Sequence, residues 1–195
     1  MTLFSVKPRT WTRAEYQLLG ETELFSGDRV ELFRGEIVAM SPHDPLHSGA
    51  VENLNSVLFR AFGETKSVRI QLPFAAPDNS EPEPDAVLLD REKSLQYKLR
   101  REHPSEAELI VEVARTSLNY DRLEKLGLYA EAGVEEYWIV NLADMLVERY
   151  RGPVADSQAP YGWSYSQTET YSPKDSLEYS SKRIDLSELF LGLID

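Results

Sequence analysis

The spacing of apolar residues along the chain predicts alternating helices and strands. Between His47 and Phe62 apolar positions recur every three or four residues, which is typical of an amphipathic helix. Residues 109–114 (LIVEVA) are almost continuously apolar and predict a buried strand. A helix is predicted over 119–132, ended by Gly133, and further strands at 68–74, 86–89, 136–141 and 145–150. This order predicts an α/β fold around one mixed sheet.

The two ends of the chain predict additions to this sheet. The stretch TRAE at 12–15 has the form of a capping box and predicts a helix through about residue 20. Two short apolar runs flank Arg-Gly at 34–35, which predicts an N-terminal hairpin. Residues 152–182 are rich in Ser, Tyr, Gln and Pro and predict a polar β hairpin or arm. We expect a single domain over 1–195, with its core at about 10–150.

Composition narrows the class of protein. The 195 residues are 42% hydrophobic and 28% charged, which are ordinary globular values. The absence of cysteine excludes disulfides, thiolate zinc sites and cysteine nucleophiles. A net charge of −12 argues against tight, sequence-independent binding of duplex nucleic acid. No apolar run approaches the length of a membrane helix and the N-terminus lacks a signal-peptide pattern, so we expect a cytoplasmic protein with no membrane partner.

One segment departs from the acidic balance. Residues 91–101 carry five basic side chains against the single acid Glu92. Two interpretations stay open: a solvated surface, or a patch that contacts the phosphates of a nucleic acid. The five residues are Arg91, Lys93, Lys98, Arg100 and Arg101.

Two carboxylates occupy strand positions that a core would fill with apolar residues. Strand alternation places Glu112 on the same face as Ile110 and Ala114, where an ionised carboxylate is costly unless something compensates it. Asp85 stands at the head of the preceding candidate strand, 86–89, directly after Pro84. Alternatively, Asp85 caps a turn and Glu112 lies in water at a sheet edge. The pair together favours a Mg²⁺ site, since carboxylates and a backbone carbonyl commonly hold this ion and Mg²⁺ assists phosphoryl transfer.

Lys125 is the candidate cation beside these carboxylates. It lies in the helix that follows the Glu112 strand, and i, i+4 spacing places it on one face with Asp121 and Tyr129. The alternative is an exposed Asp121–Lys125 pair worth only about 0.2–0.5 kcal/mol. The apolar residues of this helix do not define one clean face, so periodicity leaves both interpretations open.

These motifs, in this order, resemble the Uma-type family of putative restriction endonucleases. The resemblance covers roughly residues 10–150. It rests on Pro84-Asp85, Glu112 in LIVEVA, Asp121, Lys125, Tyr129, AGVEEYWIV at 132–140, ELFRGEIV at 31–38 and His47.

The resemblance implies a restriction-endonuclease-like core of the PD-(D/E)XK nuclease superfamily, with a mixed sheet of about four strands flanked by helices. It implies that Asp85 and Glu112 bind metal together with the Val113 carbonyl. The superfamily lysine usually lies two residues after the acid, where this chain has Ala114, and the family's known variation moves it to the helix at Lys125.

Four further residues are candidates around this site. Glu36 and His47 match recurrent family positions and could support the metal or its water, although a hairpin charge and a helix-start histidine explain them equally well. Asp121 is a third supporting candidate, and Arg115 is a candidate phosphate contact.

The implied function is a Mg²⁺-dependent endonuclease acting on nucleic acid, with DNA as the expected substrate and Mn²⁺ as a possible substitute metal. A non-catalytic, nuclease-like binding module and a hydrolase for small phosphate esters stay open. We also expect a homodimer, with EYWIVN at 136–141 as an edge strand and the tail aromatics Tyr161, Trp163, Tyr165 and Tyr171 as candidate interfaces.

Overall fold

The computed structural model of the protein describes residues 8–40, 44–77 and 79–193. Its strands are β1 (Val30–Phe33), β2 (Glu36–Ala39), β3 (Lys66–Ile70), β4 (Ala86–Asp90), β5 (Leu109–Ala114), β6 (Glu136–Asn141), β7 (Leu146–Ala155), β8 (Trp163–Tyr171), β9 (Ser176–Tyr179) and β10 (Lys182–Asp185). Its α-helices are α1 (Arg13–Gly20), α2 (Pro45–Phe62), α3 (Arg91–Arg100), α4 (Leu118–Tyr120) and α5 (Leu126–Glu131). A π-helical turn, Asp121–Lys125, joins α4 to α5, and 3-10 turns lie at Glu23–Phe25 and Leu186–Phe190.

Six strands form the central sheet, in the order β3-β4-β5-β6-β7-β8. Only β5 and β6 are parallel, and every other neighbouring pair is antiparallel. The parallel pair is connected by α4, the π turn and α5, as a parallel connection requires. The prediction of an α/β fold with a mixed, helix-flanked sheet is confirmed, and the sheet has six strands rather than about four.

The sheet separates two apolar clusters, and β5 supplies both. Val111 and Val113 belong to the cluster under α2, whereas Ile110 and Ala114 belong to the cluster under α5. Glu112 lies between Ile110 and Ala114 on the same face of β5. Its side chain accepts a hydrogen bond from Tyr129 of α5. The expected face of Glu112 is therefore the observed one.

The N-terminal segments pack beside the main sheet. Thr12 and Glu15 form the predicted capping box at the start of α1. Strands β1 and β2 form a separate hairpin, whose turn holds Gly35 at φ +79°. A single bridge between Leu32 and Glu81 connects this hairpin to the segment that precedes β4.

The C-terminal part is more integrated than a polar arm. Strand β8 pairs with β7 along most of its length and closes one edge of the central sheet, and Tyr165 is buried in the cluster under α5. The β9–β10 hairpin contributes Leu177 and Ile184 to the cluster under α2. These apolar positions are widely spaced in a polar sequence, which is why composition did not reveal them.

The prediction that EYWIVN forms an edge strand is wrong. This segment is β6, which pairs with β5 on one side and β7 on the other, and all six of its residues are buried. Its backbone is therefore not available for pairing with a second chain. None of the helices in residues 8–40, 44–77 and 79–193 combines the length and apolarity needed to cross a membrane.

Candidate active site

The two carboxylates predicted from the sequence lie together where β4 begins beside β5. The β4–β5 ladder ends at Ala86 and Val111, and beyond it the Asp85 carboxylate accepts a hydrogen bond from the Val113 N–H at 2.8 Å. Glu112 Oε2 in turn accepts from the Asp85 N–H at 3.3 Å. Both side chains are buried, with Asp85 6% and Glu112 3% exposed.

Lys125 completes a buried charge cluster around Glu112. Its Nζ lies 3.0 Å from Glu112 Oε1 and 3.7 Å from Glu31 Oε2. Tyr129 donates a second hydrogen bond to the same Glu112 oxygen, at 2.6 Å. Lys125 is 4% exposed, so the alternative of a solvent-exposed Asp121–Lys125 pair does not describe this structure.

The helix that carries Lys125 is not regularly α-helical. The Leu126 N–H donates to the Asp121 carbonyl, five residues earlier. Within this wide turn Asp121 and Lys125 are both buried, while Leu123 is 52% exposed. Insertions of this kind are frequent at functional sites. The π turn also explains why the apolar residues of this helix defined no single face.

Arg122, within the π turn, is hydrogen-bonded to the central sheet. It donates two hydrogen bonds to Glu148 of β7, at 2.9 and 2.7 Å. Buried Glu148 also accepts from Asn141 at 2.9 Å and from Tyr150 at 2.6 Å. This network fixes the turn from which Lys125 projects.

Asp121 and His47 approach the same cluster from opposite sides. Asp121 is 2% exposed and accepts a hydrogen bond from Ser117 Oγ at 2.6 Å. His47 lies in the first turn of α2, which Asp44 caps through its side chain. His47 Nε2 is 3.3 Å from Asp85 Oδ2.

Charge and burial act in opposite directions on these groups. Burial raises the pKa of Glu112 to about 8, even though Lys125 opposes this rise. Burial also raises the pKa of Asp121. At Asp85 burial is outweighed by hydrogen bonds, above all from His47, and its pKa is lowered. Lys125 is buried too, but the carboxylates of Glu112, Glu31 and Asp121 hold its pKa well above the ordinary value, so it stays an ammonium ion.

One pocket of about 290 Å³ opens onto this cluster. Six carboxylates and only three arginine or lysine side chains line it. Arg115 is one of these cations and pairs with Asp44 at 2.7 Å, so this predicted phosphate contact does lie at the pocket.

Other predicted residues lie elsewhere. Glu36 is on β2, is exposed and does not line this pocket. The basic segment forms α3, which begins after β4 ends, whereas Asp85 precedes β4. The five residues of β4 separate the start of α3 from Asp85 by about 17 Å. Several of its cations contact neighbouring groups instead: Lys93 with Glu106, Arg100 with Glu102, and Arg91 with the Glu64 carbonyl.

Glu31 is the site residue that the sequence reasoning missed. It is 1% exposed, and besides Lys125 it contacts Tyr120, whose hydroxyl donates to Glu31 Oε1 at 3.0 Å. It also accepts from the Glu83 N–H at 3.4 Å. A carboxylate within the apolar strand VELF was the available signal, and it is the same signal that singled out Glu112.

The donor set fits a hard divalent cation. Within a strand the N–H and C=O of one residue point to the same side, so the Val113 carbonyl points toward Asp85, past the end of the ladder. Two carboxylates and a carbonyl are oxygen ligands suited to Mg²⁺ or Mn²⁺. Among the described residues no three His, Cys, Asp or Glu side chains are arranged to hold a metal alone. A bound ion would therefore keep several waters, as Mg²⁺ usually does.

Fold and site together define an α/β protein with a nuclease-like core. A family model described as Uma2, putative restriction endonuclease, matches residues 13–184. The chain belongs to this family.

The chain is also similar to solved structures. A crystal structure of a putative nuclease belonging to DUF820 from Anabaena variabilis is similar over 96% of this chain and 100% of that chain, with a TM-score of 0.69 and 17% identity. This likeness shows the fold. The type IIG restriction endonuclease BpuSI is similar over 74% of this chain and 15% of that chain, with a TM-score of 0.40 and 20% identity, which is too low to support an argument. No curated protein matches the chain.

Proposed function

We propose that this protein is an endonuclease that uses a divalent metal ion to hydrolyse phosphodiester bonds in nucleic acid, with DNA as its substrate. The observation that carries the proposal is the juxtaposition of Asp85, Glu112 and Lys125. Two buried carboxylates from adjacent strands share a pocket with a buried ammonium group 3.0 Å from one of them.

Asp85, Glu112 and the Val113 carbonyl would hold Mg²⁺, or Mn²⁺ in its place. The ion would supply positive charge that stabilises the phosphoryl transition state and makes water more acidic. Positive charge is what this pocket lacks, because six carboxylates face three cations. The raised pKa of Glu112 has the same origin, since burial without sufficient compensating charge penalises its ionised form.

Lys125 would orient the attacking water and stabilise charge on the phosphoryl oxygens. It acts as a cation rather than a base because its pKa is held well above the ordinary value. The water oxygen attacks phosphorus in line while the bond to the 3′ oxygen breaks. The water releases a proton to solvent and the 3′ oxygen gains one, which leaves 5′-phosphate and 3′-hydroxyl ends.

Three residues would support this chemistry from the edges of the pocket. His47 would orient Asp85, and Asp121 would balance the charge of Lys125 from within the π turn. Arg115 is 49% exposed in its side chain, so it can exchange its contact with Asp44 for a substrate phosphate.

The proposal is tested by cleavage of supercoiled plasmid and single-stranded DNA at low salt, with Mg²⁺, Mn²⁺ or EDTA. Wild type is compared with Asp85→Ala, Glu112→Ala and Lys125→Ala, and with Glu36→Ala as a matched carboxylate outside the pocket. We expect metal-dependent cutting that only the first three variants lose. Retained cutting in those variants would overturn the assignment.

The competing functions predict different results in the same assay. A non-catalytic binding module would suit the acidic composition and the absence, within residues 8–40, 44–77 and 79–193, of a metal site made of side chains alone. It predicts no cutting and unchanged binding in the alanine variants. A hydrolase of small phosphate esters predicts turnover of a generic diester without preference for polymer. The cytoplasmic location, the homodimer and the single domain over 1–195 stay predictions.

A further inference from the structure

We infer that the substrate is an unpaired strand, with one base held in the pocket beside the phosphate that is cut. This inference rests on the proposed function and concerns the same pocket. It is carried by the burial of the catalytic groups in a small pocket, by the apolar residues that line this pocket with them and by the distribution of cations around them.

The catalytic groups are nearly buried and line a small pocket. Asp85, Glu112 and Lys125 are each at most 6% exposed, and the pocket that they line measures about 290 Å³. This volume lies at the lower limit of ordinary small-ligand pockets and corresponds to about one nucleotide. A phosphate flanked by stacked, paired bases brings with it a rigid duplex, which does not fit a pocket of this volume.

The β1–β2 hairpin contributes part of the pocket lining. It stands outside the central sheet and is tied to the site by Glu31, which contacts both Lys125 and Tyr120. The hairpin is therefore fixed to the catalytic lysine itself. A nucleotide that enters the pocket lies beside it.

Charged and apolar residues both line the pocket. Besides the carboxylates and Lys125, the lining includes Val38, Ala39, Met40 and the ring of Tyr120, whose centroid lies 5.8 Å from Lys125 Nζ. Aliphatic side chains and an aromatic ring provide no positive charge for binding a phosphate. They match a nucleobase, which proteins that bind single strands hold by stacking on aromatic side chains.

The cations around the pocket are too few for a long duplex contact. Besides Lys125, Arg29 and Arg115 are the only lysine or arginine residues of the described part of the chain that line it, whereas duplex-binding proteins commonly neutralise six to ten phosphates. The basic helix α3 lies at the opposite end of β4. Recognition limited to one or two flanking phosphates suits a flexible single strand.

The first test compares substrates of one sequence. A single-stranded oligonucleotide, its fully paired GC-rich duplex and the same duplex with one unpaired nucleotide are cut with Mn²⁺. We expect kcat/KM to be at least tenfold higher for the single strand and for the unpaired nucleotide than for the duplex. Removing the base at the cut position should lower kcat/KM by about 5- to 150-fold, the worth of stacking one base.

The second test assigns the base contact to Tyr120. Tyr120→Leu removes the ring, whereas Tyr120→Phe keeps the ring and loses only the hydrogen bond to Glu31. In Tyr120→Leu, kcat/KM for the oligonucleotide with the base should approach kcat/KM for the oligonucleotide without it. In Tyr120→Phe, the difference between these two substrates should remain. In EDTA, an oligonucleotide with 2-aminopurine at this position should lose fluorescence on binding to wild type and Tyr120→Phe, but not to Tyr120→Leu.

The outcomes separate this inference from the proposed function. Metal-dependent cutting with equal rates on duplex and single strand, and no effect of base removal, would overturn the inference and leave the nuclease intact. Absence of all cutting would overturn the proposed nuclease activity. In that case, 2-aminopurine quenching that depends on the Tyr120 ring would still support the base subsite, and no quenching would overturn it.

Discussion

Without metal, the ionisation of Glu112 should destabilise the folded protein, and Glu112→Gln should remove this effect. Burial raises the pKa of Glu112 from its ordinary 4.5 to about 8. Between these values the unfolded chain has released the proton that the folded protein still holds. The stability this proton provides is fully present below about pH 4.5, falls as the pH rises, and is lost above about pH 8.

The size of this effect follows from the two pKa values. Each pH unit between them costs about 1 kcal/mol of unfolding free energy, so the whole interval costs a few kcal/mol. Glutamine cannot ionise, but its carbonyl can still accept the hydrogen bonds that Lys125 and Tyr129 donate to Glu112. Glu112→Gln should therefore gain stability relative to wild type as the pH rises from 5.5 to 8.

Urea unfolding in EDTA, followed by tryptophan fluorescence at several pH values, measures this difference. The difference between Glu112→Gln and wild type should grow by about 1 kcal/mol per pH unit, whereas exposed Glu36→Gln should follow wild type throughout. Mg²⁺ or Mn²⁺ should stabilise wild type at pH 7.5 and leave Glu112→Gln almost unchanged. Parallel pH profiles for wild type and Glu112→Gln would refute the reasoning.

Three other predictions concern the surroundings of the site. Glu148→Gln weakens the hydrogen bonds that hold Arg122 of the π turn to β7. It should lower kcat by up to about 100-fold with little change in KM, as steady-state cleavage kinetics would show. Arg115→Ala should raise KM and leave kcat nearly unchanged. Gly35→Ala should cost more than about 1 kcal/mol in urea unfolding, because φ is +79° and a Cβ would lie 2.7 Å from Thr10 Cβ. Gly133→Ala, at φ +70° in open space, should cost less.

Local patterns were sufficient for the elements around Asp85 and Glu112. The capping box of α1, the periodicity of α2 and the alternation in β5 each depend on residues close in sequence, and the structure confirms all three. Glu112 was recognisable because a charged residue interrupted an apolar strand. Its pairing with Asp85 depended on which strands are adjacent, and the order of motifs along the chain supplied that information.

The remaining features depend on distant contacts. Glu31 and Glu36 both lie in the N-terminal hairpin, and only packing of this hairpin against Tyr120 and Lys125 places the first inside and the second outside. The strand β6 is not an edge because β5 and β7 pair with it on either side, and this order of strands depends on the topology of the whole sheet rather than on the local sequence. The basic run at 91–101 has the composition of a phosphate-binding patch, but the direction of β4 carries it away from the site.

Packing around β5 accounts for a lysine that comes from a helix rather than from the strand. Position 114, two residues after Glu112, is fully buried among apolar side chains under α5, so a lysine there would have to displace part of that cluster. The helix provides another route, because Lys125 donates a hydrogen bond to Glu112 at 3.0 Å while Arg122 of the same turn is held by Glu148 on the sheet. A spacing of four residues places Asp121 and Lys125 on one face of a helix, and both side chains are buried. The helix therefore supplies the cation beside Glu112 without displacing the apolar cluster around Ala114.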